Sequence, residues 1–263
     1  MGVYAVTGGS NGIGKKTIEL LKKDGHEVVN IDLYKCEIEA DLSLPEGRQK
    51  ALDELHNMYP EGIDGLICSP GVSGSCGSPE MIVSLNFFGT IAMVTGTYDL
   101  LLKKGGTCVV VTSNAISQYN VRMVIVDLLN NSSEDEYRIR KLVSQMDKTD
   151  LAVGIDLYVA SKYALTRWMR RHSASYAANG VRINAVAPGN IHAAMTATMS
   201  MNEKMALNAL PIPTKYGKET LMEPVEIAYA IVFLASPQAC GINGIVMFVD
   251  GGTDALLNAE KVY

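Results

Sequence analysis

The sequence has no apolar run approaching the length of a membrane span, and its first predicted strand begins at residue 3. We therefore expect neither a transmembrane helix nor a secretory signal. Basic residues are also scarce: the chain has 23 Lys and Arg against 28 Asp and Glu, which gives a net charge of −5. That balance argues against nucleic acids and anionic membranes as partners.

Cysteine is sparse too, and its five copies lack the spacing of a metal site or a redox motif. They are Cys36, Cys68, Cys76, Cys108 and Cys240. An odd number of scattered thiols favours a reducing compartment, so we predict a cytoplasmic protein without a resident metal. Apolar residues, by contrast, make up 48% of the 263 positions. This content excludes disorder and is enough for the core of one large domain.

Segments typical of strands and helices alternate along the chain. Strands are predicted at 3–6, 27–31, 37–40, 64–68, 107–112, 181–187 and 245–249, and helices at 12–24, 46–58, 80–103, 155–179 and 223–236. The runs at 64–68 and 107–112 are almost continuously apolar, as buried parallel strands are. We predict one doubly wound α/β (Rossmann) domain over 1–263, with a seven-stranded, mainly parallel sheet and helices on both faces.

Two segments interrupt this alternation. In residues 115–150, the polar stretch Asn130 to Glu134 indicates that one helix ends and another is capped, so we expect two helical pieces there. Residues 190–222 are rich in methionine and are broken by Pro211 and Pro213. Both segments follow strand ends, where open parallel sheets bind ligands. We interpret 115–150 as an insertion and 190–222 as a substrate lid.

A glycine-rich turn, Thr7 to Gly14, joins the first strand to the first helix. Gly8 permits a tight turn, Gly12 allows backbone to approach a pyrophosphate, and Gly14 allows close packing of helix on strand. The helix N-terminus adds free N–H groups and a positive dipole end. With a strand before it and a helix after it, the turn predicts a dinucleotide site.

Asp32 closes the second strand, about 20 residues beyond the glycine turn. A carboxylate there accepts hydrogen bonds from the adenine ribose and repels a 2′-phosphate. Asn11 stands in the turn where a basic residue would favour NADP, and Lys35 is the nearest following cation. We therefore predict NAD rather than NADP. The alternative is that Asp32 is an ordinary polar residue at a strand end.

Tyr158 and Lys162 are four positions apart, which places a phenol and an ammonium on one helix face. A tyrosine pKa of about 10 is too high for a base near neutrality. A lysine charge about 4 Å away contributes roughly 4 kcal/mol at an effective dielectric of 20, or about three pKa units downward. Tyr137 and Lys141 share this spacing, but they lie among charges, so we assign them to a solvated helix face.

The whole chain resembles the short-chain dehydrogenase/reductase family. The residues that carry the resemblance are Thr7 to Gly14, Asp32, Asp41-Leu42, Asn86, Thr112-Ser113, Tyr158 with Lys162, Pro188-Gly189 and Asp250-Gly251-Gly252. The resemblance implies that Tyr158 is the general acid/base, that Lys162 holds the nicotinamide ribose, that Ser113 binds the reacting oxygen and that Asn86 supports a proton relay. Ser113 as a turn cap and Asn86 as a structural amide are the alternatives.

The resemblance also implies a set of NAD contacts. They are Gly8, Ser10, Asn11, Gly12, Ile13, Asp32, Asp41, Leu42, Gly71, Tyr158, Lys162, Pro188, Gly189 and Ile191. Two departures stand out. Cys68-Ser69-Pro70-Gly71 replaces the family's usual Asn-Asn-Ala-Gly, and Ala193 occupies the place of a threonine that contacts the carboxamide. Asn190, His192 or Thr196 could substitute for that threonine.

Ser113 and Tyr158 are 45 positions apart, far more than is usual in the family. In this spacing the chain resembles one branch, the bacterial 3α-hydroxysteroid dehydrogenase/carbonyl reductases. The same branch is similar to this chain at Gly25-His26, Asp41-Leu42-Ser43, Glu46-Gly47-Arg48, Val83-Ser84-Leu85-Asn86 and Phe88-Gly89. This branch implies a small apolar hydroxy or keto substrate, best a steroid or bile acid, bound by Ser113, Tyr158, Met195 and Met199. Smaller ketones or alcohols are the alternative, and a non-catalytic NAD sensor is a third possibility. We further predict a homodimer or homotetramer whose interface the insertion alters.

Overall fold

The computed structural model describes residues 1–132, 134–192, 211–215 and 221–262. Its strands are β1 (Val3–Thr7), β2 (Glu27–Asp32), β3 (Ile38–Glu39), β4 (Gly65–Cys68), β5 (Thr107–Val111), β6 (Arg182–Pro188) and β7 (Val246–Val249). They form one sheet in the order β3-β2-β1-β4-β5-β6-β7, and every neighbouring pair is parallel. The predicted doubly wound, seven-stranded sheet is confirmed.

Helices cover both faces of this sheet. They are α1 (Gly12–Lys23), α2 (Pro45–Met58), α3 (Pro79–Val83), α4 (Thr90–Gly96), α5 (Tyr98–Lys104), α6 (Ala115–Gln118), α7 (Met123–Asn131), α8 (Glu136–Val143), α9 (Leu151–Ala178), α10 (Pro224–Ala235) and α11 (Thr253–Leu257). Because strand side chains alternate between faces, Ala5 and Leu66 join the core beneath α2 and α9, whereas Val6 and Ile67 join the core beneath α1 and α10.

The single helix predicted over 80–103 is divided in the structure. A π-helical turn spans Ser84–Gly89, and the chain breaks again at Thr97 before α5. At Gly89, a Cβ would lie 2.5 Å from the Leu42 carbonyl oxygen, so the backbone approaches closely there. Among the described residues, no single helix is long and apolar enough to cross a membrane. The bent helix pair Pro79–Gly96 and Tyr98–Lys104 has the length and composition of a span. Phe87 in this pair, however, is fully buried in the core.

Helix α9 begins at Leu151, four residues before the predicted start at 155. Asp150 caps the helix by accepting a hydrogen bond from the Ala152 N–H at 2.9 Å. Leu151 and Ala152 are good helix formers and continue the first turn. Tyr158 therefore lies two turns inside a long, regular helix, where its backbone position is well determined.

The insertion packs against α9. Its predicted break is confirmed, because α7 ends at Asn131 and the Asp135 carboxylate caps α8 by accepting from the Arg138 N–H at 3.1 Å. The short helix α6 adds a third helical piece that the sequence did not indicate. Asn130 donates to the Ala164 carbonyl at 3.0 Å, which ties α7 to α9. The chain therefore covers part of α9 with its own insertion.

Much of the predicted substrate lid, including residues 193–210 and 216–220, lies outside the described residues. The two described edges of this segment are joined. Ile191 pairs with Met222 in a short parallel bridge, and the Met222 N–H donates to the Asn190 carbonyl at 2.8 Å. The chain that leaves β6 therefore returns to the same place before α10 begins.

Candidate active site

A cavity of about 510 Å³ opens at the carboxyl ends of β1, β4, β5 and β6. Parallel sheets of this kind bind ligands at that edge, where the strand order reverses. Most of the predicted cofactor contacts line it: Gly8, Asn11, Gly12, Ile13, Asp32, Asp41, Leu42, Gly71, Tyr158, Lys162, Pro188, Gly189 and Ile191. Ser113 lines it too. The structure thus brings together residues from across the sequence.

The glycine turn has the close packing that its sequence indicates. Gly8 has a φ of +73°, and a Cβ there would lie 2.8 Å from the Pro70 nitrogen. At Gly14 a Cβ would lie 2.3 Å from the Gly8 carbonyl oxygen. Side chains are therefore excluded at both places, which leaves the backbone and the N-terminus of α1 to face a ligand. Such a cradle fits a dinucleotide pyrophosphate.

Asp32 is held in place at one end of the cavity. One carboxylate oxygen accepts from the Ser10 N–H at 2.9 Å, and the other accepts from the Leu33 N–H at 2.8 Å. Ser10, a predicted cofactor contact, does not line the cavity but orients Asp32. Asp41 lies nearby in the same wall and accepts from the Ser43 N–H and hydroxyl. Each carboxylate keeps lone pairs free to accept from a ligand.

Tyr158, Ser113 and Lys162 meet at the other end of the cavity. The Ser113 hydroxyl accepts from the Ala115 N–H at 3.2 Å and is hydrogen-bonded to Tyr158. The Lys162 ammonium is buried and donates to the Val111 carbonyl at 3.1 Å. A Cβ at Gly71 would lie 3.3 Å from the Lys162 Nζ, so a larger residue there would crowd the ammonium. A phenol, a hydroxyl and an ammonium thus surround one small space.

The pKa values at this end do not follow the sequence-based expectation. Burial raises the pKa of Tyr158 above its usual value, the negative charge of a Tyr119 phenolate would act in the same direction, and the hydrogen bond with Ser113 opposes the rise. Burial also lowers the pKa of Lys162 to about 8. The prediction that Lys162 lowers the pKa of Tyr158 does not hold in this structure, because desolvation is the largest effect and the ammonium is bonded to Val111.

Asn86 lies behind the cavity wall rather than in it. Its side chain is fully buried, accepts from the Val72 N–H at 2.9 Å and donates to the Val72 carbonyl at 3.0 Å. The π-helical turn around it orients the amide toward that loop. A Cβ at Gly71 would lie 3.2 Å from the Asn86 Oδ1, so Asn86 and Lys162 flank the same glycine. A proton relay through Asn86 stays a prediction.

The segment after Pro188-Gly189 is described only as far as residue 192. Asn190 lines the cavity, whereas His192 is exposed and lies 3.9 Å from the Glu223 carboxylate. Ala193 and Thr196 fall outside the described residues, as do the predicted substrate contacts Met195 and Met199. Asn190 as the replacement for the family's threonine stays a prediction, and Thr196 cannot be compared with it. Over the described ranges, His, Cys, Asp and Glu form no cluster that could hold a metal ion.

Several lining residues were missed by sequence reasoning. Asn114, Gln118, Tyr119 and Ile155 all border the cavity beside Ser113 and Tyr158. The Gln118 Nε2 is buried and has no hydrogen-bond partner in the described part of the chain. The sequence indicates three of these residues only by their position, because Asn114, Gln118 and Tyr119 follow shortly after the carboxyl end of β5. Ile155 and the ring of Tyr119 add apolar surface to the Tyr158 end, and the two amides add polar groups that can orient a substrate.

Comparison with known proteins agrees with this geometry. The family model described as enoyl-(acyl carrier protein) reductase matches residues 142–254. A 3-alpha-hydroxysteroid dehydrogenase/carbonyl reductase from Comamonas testosteroni is 29% identical over 261 residues, 99% of this chain and 100% of the relative. A coniferyl-alcohol dehydrogenase from Pseudomonas sp. strain HR199 is 28% identical over 259 residues, 94% of each chain.

A solved structure is also similar over the full chain. The 3-alpha-hydroxysteroid dehydrogenase from Pseudomonas sp. B-0831, crystallised with NADH, is 34% identical and has a TM-score of 0.89. The match covers 99% of this chain and 100% of that one. The similarity therefore includes the whole sheet, the insertion and both ends of the cavity.

Proposed function

Because this chain belongs to the short-chain dehydrogenase/reductase family and is an oxidoreductase of alcohols and ketones with a nicotinamide cofactor, we propose that it is an NAD-dependent hydroxysteroid dehydrogenase. One observation carries the proposal: a single cavity has a dinucleotide cradle and Asp32 at one end and Ser113, Tyr158 and Lys162 at the other. The reaction interconverts a secondary hydroxyl, best the 3α-hydroxyl of a steroid or bile acid, and the ketone.

The chain's own residues handle the proton in this proposal. Bound NAD supplies the acceptor for the hydride that leaves the substrate carbon. Tyr158, ionised, accepts the hydroxyl proton, and Ser113 donates a hydrogen bond to the same oxygen. Lys162 would hold the nicotinamide ribose once the cofactor is bound, and its positive charge would then favour the ionised form of Tyr158. In the reverse direction Tyr158 returns the proton to the ketone oxygen.

An acidic surround at the ribose end supports NAD rather than NADP. The thiol of Cys36 has a raised pKa, mainly through burial, and the carboxylates of Asp32, Glu39 and Glu37 all add to the rise. The charge of each carboxylate thus reaches Cys36, four residues beyond Asp32, and this negative field would repel a 2′-phosphate. The Pseudomonas sp. B-0831 relative was crystallised with NADH, which also supports NAD as the cofactor.

Asp32→Ala should change the cofactor preference. We expect the ratio of kcat/KM for NAD to that for NADP to fall at least about tenfold, because hydrogen bonds to a charged group contribute roughly 1.5–3 kcal/mol each. The measurement is initial velocity with each cofactor at one substrate concentration. Asp53→Ala, which removes an exposed carboxylate on α2, is the control and should leave the ratio unchanged. An unchanged ratio in Asp32→Ala contradicts the assignment.

The steroid assignment is supported by two relatives and by the apolar substrate end. Both the Comamonas and the Pseudomonas B-0831 proteins carry the name 3-alpha-hydroxysteroid dehydrogenase. Ala115, Tyr119 and Ile155 give the wall beside Tyr158 the apolar surface that a sterol ring needs. The coniferyl-alcohol relative favours the second candidate, a dehydrogenase of smaller alcohols or a carbonyl reductase on the same machinery. A silent NAD sensor would have no use for Ser113, Tyr158 and Lys162 together.

A substrate panel tests the function. Purified protein is given NAD and 3α-, 3β-, 7- or 17-hydroxy steroids, bile acids or simple secondary alcohols, and NADH absorbance is followed. We expect rapid turnover at the 3α position, and the 3β epimers provide the matched control. Turnover of small alcohols alone would overturn the steroid assignment. A protein that binds NADH but oxidises none of the panel would overturn the enzymatic proposal in favour of a sensor.

We also propose that the protein is a homodimer. The insertion covers α9 at Ala164, so that surface is not available to a second copy. Tyr229 and Phe233 lie one turn apart on α10 and are 60% and 42% exposed, and every residue of the neighbouring edge strand β7 is partly exposed. This face gives a second copy an apolar surface to bury. Light scattering at micromolar concentration should give twice the monomer mass; a monomer contradicts the proposal.

A further inference from the structure

Arg48, on α2, is buried and donates hydrogen bonds in four directions. Its Nε donates to the Leu42 carbonyl at 2.7 Å, and its Nη2 donates to the Ser43 carbonyl at 3.2 Å. The same Nη2 donates to the Ser84 carbonyl at 3.0 Å. The guanidinium also pairs with both oxygens of the Glu136 carboxylate, one of them at 2.9 Å. Backbone carbonyls carry only partial charge, so Glu136 is the carboxylate that neutralises this buried cation.

The partners of Arg48 belong to three different parts of the fold. Glu136 is the first residue of α8 in the insertion, and its side chain is only 16% exposed. Ser84 begins the π-helical turn, whose next residue, Leu85, lines the cavity. Leu42 lines the cavity beside Asp41, at the same end as Asp32. One guanidinium therefore joins the insertion to two segments of the cavity wall.

We propose that Arg48 and Glu136 are positioning residues for the adenine end of the cofactor site. Neither lines the cavity itself. Arg48 holds the Leu42 and Ser43 carbonyls and thereby fixes the wall that a nucleotide contacts, and Glu136 holds the planar guanidinium in the orientation that reaches those carbonyls. In this way the insertion contributes to cofactor binding without lining the cavity. The inference rests on the proposed NAD site.

Removing the charge of Glu136 has a definite expected effect. In Glu136→Gln the buried guanidinium loses its counter-charge and turns toward water, which releases the Leu42 carbonyl and loosens the wall. A displaced wall weakens binding at the adenine end and leaves Ser113, Tyr158 and Lys162 in place. We therefore expect the dissociation constants of NADH and AMP to rise about tenfold, equivalent to about 1.4 kcal/mol. The dissociation constant of nicotinamide mononucleotide and kcat at saturating NAD should stay unchanged.

The experiment measures NADH, AMP and nicotinamide mononucleotide binding by fluorescence titration and competition, beside steady-state kinetics. Arg48→Lys is the second variant: it keeps the charge but lacks the planar fork that reaches several carbonyls, and it should show the same split between the two mononucleotides. It decides the question if Glu136→Gln does not fold. The control is Lys148→Gln, because Lys148 also ties the insertion to α3, through Glu80 at 2.8 Å, but lies on the surface.

Three results would overturn parts of this reasoning separately. If folded Glu136→Gln and Arg48→Lys both bind AMP as the wild type does, the positioning role is wrong. Equal weakening of AMP and nicotinamide mononucleotide would mean a general loss of structure and would also reject it. If the wild-type protein binds no NADH, the proposed cofactor fails and the positioning role fails with it. A sound NADH site with no activity on steroids would leave the positioning role intact.

Discussion

Tyr158→Phe should bind NADH as the wild-type protein does and yet turn over about 10³-fold more slowly, within the range that general acid–base groups contribute. The ring of phenylalanine preserves the packing of the half-buried tyrosine in α9, so only the hydroxyl that exchanges the proton is lost. Ser113 loses its hydrogen-bond partner at the same time. The measurement is kcat for the best substrate of the panel, together with an NADH titration.

The chain contains its own control for this substitution. Tyr137 precedes Lys141 by the same four positions, but its side chain is 79% exposed on α8. Tyr137→Phe should leave kcat and NADH binding unchanged, which separates loss of a phenol in general from loss of the one in the cavity. Full activity in Tyr158→Phe would remove Tyr158 from the mechanism. Loss of NADH binding would show that the hydroxyl contributes mainly to the cofactor site.

Lys162→Met should make the protein more stable and almost inactive. Burial lowers the pKa of Lys162 to about 8, against an unfolded value of about 10.4. At pH 7 both states carry the charge, so burial of the ammonium costs the folded state up to about 3 kcal/mol. Methionine fills similar space without a charge, so we expect the free energy of unfolding at pH 7 to increase by about 1–3 kcal/mol. We also expect kcat to fall about 10²-fold, because the positive charge beside the reacting groups is lost.

The pH dependence of the same variant has a defined sign. Between pH 8 and pH 10 the unfolded state binds more protons at Lys162 than the folded state, so the stability contributed by this group rises with pH. The stability gap between Lys162→Met and wild type should therefore shrink from pH 7 to pH 10, as followed by denaturant unfolding. Lys141→Met, at an exposed position on α8, should show neither the gain nor the pH dependence. A less stable Lys162→Met would mean that the bond to Val111 outweighs the desolvation.

The parts of this protein that sequence predicts well depend on local chemistry. The glycine turn, Asp32 and the Tyr158–Lys162 pair each lie beside a recognisable strand or helix, and the parallel sheet brings their positions together. The predicted start of α9 is wrong because Asp150 caps the helix at an earlier residue. Several polar residues near Asp150 are equally good N-cap residues, so the sequence does not show which of them begins the helix. Helix bounds of this kind depend on side-chain hydrogen bonds that periodicity does not record.

Long-range pairing explains most of what the sequence could not predict. Nothing near Arg48 indicates that it meets Glu136 from the insertion, and nothing near Asn86 indicates that its amide pairs with both backbone groups of Val72. The pKa of Tyr158 is likewise raised mainly by burial under distant segments, which the spacing of Tyr158 and Lys162 does not record. Such effects are determined by packing rather than by neighbours in sequence.

The position of β1 in the sheet has a consequence for synthesis. β1 lies near the centre and pairs with β2 on one side and with β4 on the other, so Tyr4 must wait for Gly65 before its second edge is filled. At about 5–20 residues per second, a ribosome needs roughly 3–12 s to make the intervening chain. During that interval the β1 edge that later pairs with β4 has no partner strand, so the centre of the sheet closes late in synthesis.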